Sequence, residues 1–186
     1  MEREKTSIPD RPGRVVYSAE QIEEAVGGIA GRIAVRLDGE EPTLLILLKG
    51  GVMFGSDLIR AFPQGCNFDF IGVSSYGEAL ASSGRVDFYL YNLQRELIDN
   101  RPVILVDDIC DSGTTFSAVA ARVAADFAPS RLLSCSLIWR DGSGFTPDFH
   151  GFQHAGDEFL VGYGLGAGEQ YRSLGEIMVL ERDDAG

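Results

Sequence analysis

Apolar positions divide the chain into a regular series of elements. Val15 and Val16 begin a short strand. Ser18, with Gln21 three residues later, has the spacing of a capping box. Ile22, Val26, Ile29, Ala30 and Ile33 then recur at intervals of three and four, which predicts a helix to about Arg36, weakened by Gly27 and Gly28 and closed by Asp38-Gly39. The run TLLILL over 43–48 is apolar on both faces, as in a central strand of a parallel sheet, and stops at Lys49-Gly50-Gly51. A helix is predicted over 52–62, with Phe54, Leu58 and Phe62 four apart, and a strand over 68–73. Residues 74–85 are small and polar around Tyr76 and read as a mobile loop; 86–90 is a strand, and 93–101 holds a turn or two of helix. From Pro102, PVILVDD is the second strong central strand, and it ends in acid. A turn over 109–113, a helix over 114–127, a strand over 131–139 and a loop over 141–147 follow. Last come a short strand over 159–163, a stretch loosened by Gly162, Gly164, Gly166 and Gly168, and an edge strand over 177–180.

This alternation predicts an α/β fold, an open and mainly parallel twisted sheet with helices on both faces. One domain is expected over 15–181, preceded by an arm over 1–14 that Pro9, Pro12 and Gly13 keep irregular and followed by a frayed end over 182–186. The chain length of 186 residues and an apolar share of 45% suit a single domain with a real core. Sixteen Lys and Arg against 28 Asp and Glu give a net charge of −12, which argues against general nucleic-acid binding but not against local anion binding by backbone N–H groups and a few fixed cations. Cys66, Cys110 and Cys135 match neither a disulfide scaffold nor a zinc site, and His150 and His154 are too few for a multi-histidine metal centre. The charged start has no signal-peptide pattern and no apolar run is long enough to span a membrane, so a cytoplasmic protein is expected.

The segment from Val103 to Thr115, VILVDDICDSGTT, carries the strongest chemical signal. In open α/β sheets, ligands bind beyond the carboxyl ends of the strands, where Asp107 and Asp108 fall. Ionised carboxylates only accept hydrogen bonds, so this pair suits a sugar diol or a divalent cation. The turn of Asp111, Ser112, Gly113, Thr114 and Thr115 leads into a helix whose N–H groups and hydroxyls form an anion nest. A diol site beside a monophosphate site describes a ribose 5-phosphate. Neither the G-x-x-x-x-G-K-[ST] loop nor the dinucleotide glycine fingerprint is present.

VILVDDICDSGTT resembles the phosphoribosyl-pyrophosphate signature of the type I phosphoribosyltransferases. With LLKGGVMFGSDL, VSSYGE, PDFHGF and FLVGYGL…EQYRSL in the same order, the chain is similar from Val16 to about Leu180 to the bacterial hypoxanthine (hypoxanthine–guanine) phosphoribosyltransferases. The resemblance implies a small hood subdomain built from the N-terminal segment and about 140–181. It implies transfer of the 5-phosphoribosyl group from phosphoribosyl pyrophosphate to N9 of hypoxanthine or guanine, in purine salvage, giving IMP or GMP and pyrophosphate.

Residue by residue, the resemblance implies that Asp107 and Asp108 hold the ribose or Mg²⁺, and that Asp111 through Thr115 hold the 5-phosphate, with Asp111 also the general base. It assigns pyrophosphate to Lys49, Gly50 and Arg172, with a cis peptide before the lysine, and the closing loop to Ser74, Ser75, Tyr76 and Gly77. On the base side it places Ile109, Arg140, Phe159 and Leu160, with Phe159 stacking on the purine and Glu158 near the edge. Trp139 is read as packing. A homodimer or homotetramer is expected, with no nucleic-acid or membrane partner.

Two positions depart from the family pattern. Arg140 stands where the family has a lysine that donates to the exocyclic oxygen of the base. Gly166 stands where it usually has a metal-associated aspartate, and neither Glu169 nor Asp157 is in register to replace it. The runner-up readings are a xanthine-preferring phosphoribosyltransferase and an RNA-binding regulator of pyrimidine genes with the same fold, which would need a basic face.

Overall fold

A computed structural model describes residues 12–74, 87–90, 93–142 and 144–181. The elements are β1 (Val15–Tyr17), α1 (Ala19–Leu37), β2 (Thr43–Leu48), α2 (Val52–Ala61), β3 (Asn67–Ser74), β4 (Asp87–Leu90), α3 (Arg95–Ile98), β5 (Pro102–Cys110), α4 (Thr114–Asp126), β6 (Arg131–Arg140), β7 (Phe149–His154), β8 (Leu160–Val161) and β9 (Ile177–Val179). Six strands form the main sheet in the order β4-β3-β2-β5-β6-β7. All pairings in it are parallel except β3 with β4. A second sheet, β1-β9-β8, joins both ends of the chain in antiparallel pairs. The α/β expectation and the mainly parallel sheet are borne out.

The capping box forms as the sequence predicts. The Ser18 hydroxyl accepts from the Gln21 N–H (3.3 Å), and the Ser18 N–H donates to Gln21 Oε1 (2.9 Å). Along α1 the predicted stripe, Ile22, Val26, Ile29, Ala30 and Ile33, is buried. The central strands are apolar on both faces because each face meets its own core. Leu44 and Ile46 of β2, with Ile104 and Val106 of β5, pack under α1 and α2. Leu45, Leu47, Val103 and Leu105 point the other way, toward Phe116, Val119 and Val123 of α4.

Three boundaries differ from the sequence reading. β5 runs past its acids to Cys110, because its ladder with β6 continues through Asp107↔Ser136, Ile109↔Ile138 and Cys110↔Trp139. The short strand expected over 159–163 is only Leu160–Val161, and Phe159 precedes it. β7 has no counterpart in the sequence reading. Its sequence FHGFQH lacks an alternating pattern and has Gly151 at its centre, a residue that weakens a strand signal. The glycine is required by the approach of β6, since a Cβ there would lie 2.9 Å from the Leu137 carbonyl oxygen. Of the expected arm, 1–11 lies outside the described residues, as does the expected frayed end over 182–186. Among the described residues no helix is long and apolar enough to cross a membrane.

The strand order creates a crevice. The connection through α2 carries the chain from β2 outward to β3, and the connection through α4 carries it from β5 outward to β6, in the opposite direction. The carboxyl ends of β2 and β5 are therefore the switch point of the sheet, where a ligand can enter between diverging connections. The chain turns tightly there. A Cβ on Gly51 would lie 2.7 Å from the Leu47 carbonyl oxygen and 3.0 Å from that of Val106. Both are backbone atoms of central strands and cannot move aside. Gly51→Ala is expected to destabilise the fold by about 1–3 kcal/mol, the usual cost of overpacking a rigid site. It should appear in urea unfolding as a lower midpoint with an unchanged slope.

Candidate active site

A cleft of about 640 Å³ opens at this switch point. One wall is the exit of β2, where Leu48 and Lys49 are joined by a cis peptide bond, as the resemblance implies. The floor is the end of β5, with Asp107, Asp108, Ile109 and Cys110, and the turn into α4 supplies Asp111, Ser112, Gly113 and Thr115. The far wall is the segment after β8, with Leu165, Gly166, Glu169 and Arg172.

The two acids are held by local backbone geometry. The Asp108 N–H donates to Asp107 Oδ1 (3.0 Å), and the Ile109 N–H donates to Asp108 Oδ1 (2.8 Å). Burial, and then the neighbouring Asp108 carboxylate, push Asp107 well above the usual carboxylate range. Burial raises Asp108 too, opposed by its hydrogen bonds with Asp107 and the Ile109 N–H and by the Arg172 guanidinium. Asp108 Oδ2 faces Gly50 so closely that a Cβ on residue 50 would collide with it. Two adjacent carboxylates whose negative charge is costly to maintain are a donor-seeking pair. They suit hydroxyl donors or a hard cation, for which one or two carboxylates plus phosphate oxygens commonly suffice. Among the described residues no cluster of three metal-ligating side chains occurs, so such a cation would need ligand oxygens as well.

The turn entering α4 is shaped by Gly113, whose φ of +75° belongs to the left-handed region that a β-carbon disfavours. A side chain there would also strike Phe145, which stacks on Phe116 with ring centroids 5.8 Å apart. The Ser112 and Thr114 hydroxyls are 2.9 Å apart and both are exposed. The first N–H groups of a 13-residue helix lie beside them, with the positive end of its dipole. Cys110 lines the cleft, but burial raises its thiol to about 11, so it is not a thiolate nucleophile at neutral pH.

At the other end, Lys49 Nζ lies 2.8 Å from Glu169 Oε1, with both side chains largely exposed. Arg172 donates through Nη1 to the Gly164 carbonyl (2.6 Å) and through Nη2 to the Gly168 carbonyl (3.0 Å). Its Nε–H is buried and has no partner among the described residues. The Arg172 side chain as a whole lines the cleft and brings a fixed positive charge to its wall.

The sequence-predicted residues thus divide into groups. Asp107, Asp108, Ile109, Asp111, Ser112, Gly113, Thr115, Lys49, Gly50 and Arg172 meet in one cleft. Thr114 adjoins it through Ser112. Arg140, at the end of β6, touches its edge through Nε, 3.2 Å from Asp111 Oδ1. Phe159, nearly half exposed, borders a separate hollow with Asp157 and Leu180, and Leu160 is buried. Trp139 donates to the Phe145 carbonyl (2.8 Å), the packing role expected of it. Ser74 ends β3, while Ser75, Tyr76 and Gly77 lie outside the described residues.

Sequence reasoning set aside two features of the site. Glu169 reaches Lys49 because a tight loop over 164–172 folds it back, and no spacing rule reports that. The contact of Tyr17, His154 and Glu158 behind Arg140 joins residues up to 144 positions apart with Arg14, beyond any local pattern.

Comparison with known proteins agrees with this geometry. Residues 16–164 match the phosphoribosyl transferase domain family. The chain is 37% identical to a hypoxanthine-guanine phosphoribosyltransferase of Mycobacterium avium, over 90% of this chain and 85% of that one. It is 36% identical to the Aquifex aeolicus protein of the same name, over 90% and 94%. A solved hypoxanthine-guanine phosphoribosyltransferase from Bacillus anthracis superposes with a TM-score of 0.84 at 33% identity, covering 92% of this chain and all of that one. An acid pair and an N–H-rich turn at the switch point of this sheet, together with similarity along nearly the whole chain, place it in the type I phosphoribosyltransferase family.

Proposed function

We propose that the protein transfers the 5-phosphoribosyl group of phosphoribosyl pyrophosphate to N9 of a 6-oxopurine, hypoxanthine or guanine, and releases pyrophosphate. One observation carries the reading. A single cleft is lined by an acid pair suited to sugar hydroxyls, by the N–H-rich turn into α4, and by Lys49 and Arg172. The curated relatives support the purine as acceptor, since those named above are hypoxanthine-guanine phosphoribosyltransferases.

In this reading the turn from Asp111 to Thr115 binds the 5-phosphate through backbone N–H groups, the Ser112 and Thr115 hydroxyls and the start of α4. Asp107 and Asp108 accept hydrogen bonds from the ribose 2- and 3-hydroxyls, which orients C1 toward the base. The Nζ of Lys49 donates to pyrophosphate oxygens, and the Arg172 guanidinium supplies fixed positive charge beside them, as negative charge moves onto them. Asp107 and Asp108 fit a divalent cation as two of its oxygen ligands; Mg²⁺ held there would neutralise pyrophosphate charge. Asp111 takes or shares the proton on the imidazole side of the purine as the N9–C1 bond forms and the bond to pyrophosphate breaks. For the base, Ile109 offers an apolar surface within the cleft. The family resemblance, and not the cleft lining, supports Phe159 as a ring face, Leu160 as a backbone group at the base edge, and the N–H groups of Arg140 left over from its carbonyl partners as donors.

The direct test is pyrophosphate release from phosphoribosyl pyrophosphate and Mg²⁺ with hypoxanthine, guanine, xanthine and uracil in parallel. Turnover with hypoxanthine or guanine well above the other two is expected; a uracil-dependent product as the main outcome refutes the assignment. Asp111→Asn keeps the size of the side chain and loses its basicity. It should lower kcat by roughly 10²–10⁴-fold, the usual worth of a general base, while the KM for phosphoribosyl pyrophosphate stays within about threefold.

Asp107 yields a stability prediction as well. Its folded pKa lies above its unfolded value, so the folded state binds the extra proton and stability falls as pH rises from the ordinary carboxylate range through the folded pKa. Asp107→Asn can still accept the Asp108 N–H bond and removes the charge. The variant should therefore melt at a higher temperature than the parent at pH 7. The gain should vanish as pH drops below the ordinary carboxylate range, while donor binding weakens. Equal melting temperatures at pH 7 would contradict the assigned burial cost.

A further inference from the structure

The base end of the site is held by residues that the reaction above does not use. Arg140 is 17% exposed at its side chain, and its guanidinium is clamped on three sides. Nη1 donates to the Gly156 carbonyl, Nη2 to the Glu158 carbonyl (2.7 Å), and Nε faces Asp111 Oδ1 at 3.2 Å. Two carbonyls of the segment between β7 and β8 thus fix the plane of the fork, and the remaining edge meets the carboxylate at the cleft. Asp111 is itself 74% exposed, so Arg140 is what restrains it from this side.

The clamp depends on the path of residues 154–158. His154 Nε2 lies 3.1 Å from Glu158 Oε2, and Glu158 Oε1 lies 2.7 Å from Arg14 Nη2. On the other edge of the imidazole, Nδ1 lies 3.1 Å from the Tyr17 hydroxyl, and the Tyr17 ring stacks on Phe152 with centroids 3.9 Å apart. A neutral imidazole satisfies both bonds when Nε2–H donates to Glu158 and Nδ1 accepts from Tyr17. Gly156 leaves room for the bridge, since a Cβ there would run into the Glu158 carboxylate and lie 3.0 Å from His154 Nε2. Charge-assisted bonds in a partly buried network hold geometry better than isolated surface pairs.

We propose that His154 and Glu158 are positioning residues for the acceptor base: they hold the two carbonyls that grip Arg140 and, through Arg140, set the place of the Asp111 carboxylate. Phe159 follows Glu158 directly, so the same segment sets the ring proposed to face the purine. Among the described residues, Lys49, Arg172, Asp107 and Asp108 have no bond to this network. Loosening it disturbs the base and the carboxylate that takes its proton, while the donor keeps Lys49, Arg172, the acid pair and the nest from Ser112 to Thr115, so the effect on the donor is the smaller one. This rests on the phosphoribosyl-transfer reading above.

The test compares His154→Leu, His154→Gln and Glu158→Ala with the parent enzyme. Loss of one such bond corresponds to about a tenfold change, so His154→Leu and Glu158→Ala should raise the KM for hypoxanthine or guanine about tenfold. The KM for phosphoribosyl pyrophosphate should stay within about twofold. His154→Gln, whose amide can still donate to Glu158, should recover most of the loss. Solvent exchange of the Arg140 Nε–H, followed by NMR in the free protein, should quicken in Glu158→Ala and stay near the parent rate in His154→Gln. Both KM values rising in parallel, or neither moving while the Arg140 N–H stays protected, overturns the proposal. The Glu158 side chain is one-third exposed, so Glu158→Ala decides the matter should His154→Leu fail to fold. A parent enzyme inactive with every 6-oxopurine refutes the proposed reaction instead, and the Arg140 exchange rate still decides whether the network holds the arginine.

Discussion

Two adjacent carboxylates at the end of a central strand are the constraint around which this structure is arranged. Asp107 and Asp108 follow five buried residues, Pro102 to Val106, and are held where water cannot fully solvate them. Burial raises both toward the neutral form, and the Asp108 carboxylate raises Asp107 further, an expense that a protein selected for stability alone would avoid. The surroundings reduce this cost without removing it. Backbone N–H groups of Asp108 and Ile109 donate to the two carboxylates, the Arg172 guanidinium lowers Asp108, and the absent side chain of Gly50 leaves room for Asp108 Oδ2. What remains is a site whose charge is best satisfied from outside the chain, by hydroxyl donors or a cation.

The proposed reaction asks a protein of net charge −12 to receive a polyanionic donor. Among the described residues, the cations at the cleft and its edge are each engaged by the protein. Lys49 is paired with Glu169, Arg140 is gripped by two carbonyls and Asp111, and Arg172 is tied to the carbonyls of Gly164 and Gly168. Anion binding is then an exchange of partners at short range, with little long-range attraction behind it. The turn proposed to hold the 5-phosphate works on a different footing. The backbone N–H groups at the start of α4 carry no net charge and need no counter-ion.

Most of the fold was legible because the two central strands and the two long helices obey local rules. TLLILL and PVILVDD are apolar on both faces and pack cores on both faces, and the stripe of α1 is buried residue for residue. The strand end, turn and helix start of VDDICDSGTT were legible for a related reason: they are contiguous in sequence, so the segment contains its own geometry and reaches the cleft as a unit. Legibility failed where a residue's role comes from a distant neighbour. β7 is a strand because β6 lies beside it, and Gly151 at its centre is there for the Leu137 carbonyl. Arg140 reads as a base-side donor in one dimension; in three, most of its fork is occupied by the segment 156–158 and by Asp111.

Gly166 shows how a departure from the family pattern acquires a physical meaning. A Cβ at this position would lie 2.9 Å from Cγ, Cζ and Nε of Arg172, so the bare backbone is what lets that side chain lie across the wall of the cleft. Lying there, the guanidinium reaches the Gly164 and Gly168 carbonyls, and its buried Nε–H has no partner among the described residues. A carboxylate at residue 166 would have to displace the guanidinium or pair with it. In the proposed reaction the local trade would therefore be between a carboxylate that could hold a cation against pyrophosphate and a fixed guanidinium whose own charge faces it. In this chain the backbone geometry favours the second. Because Arg172 also lowers Asp108, the choice made at residue 166 reaches the acid pair on the opposite side of the cleft.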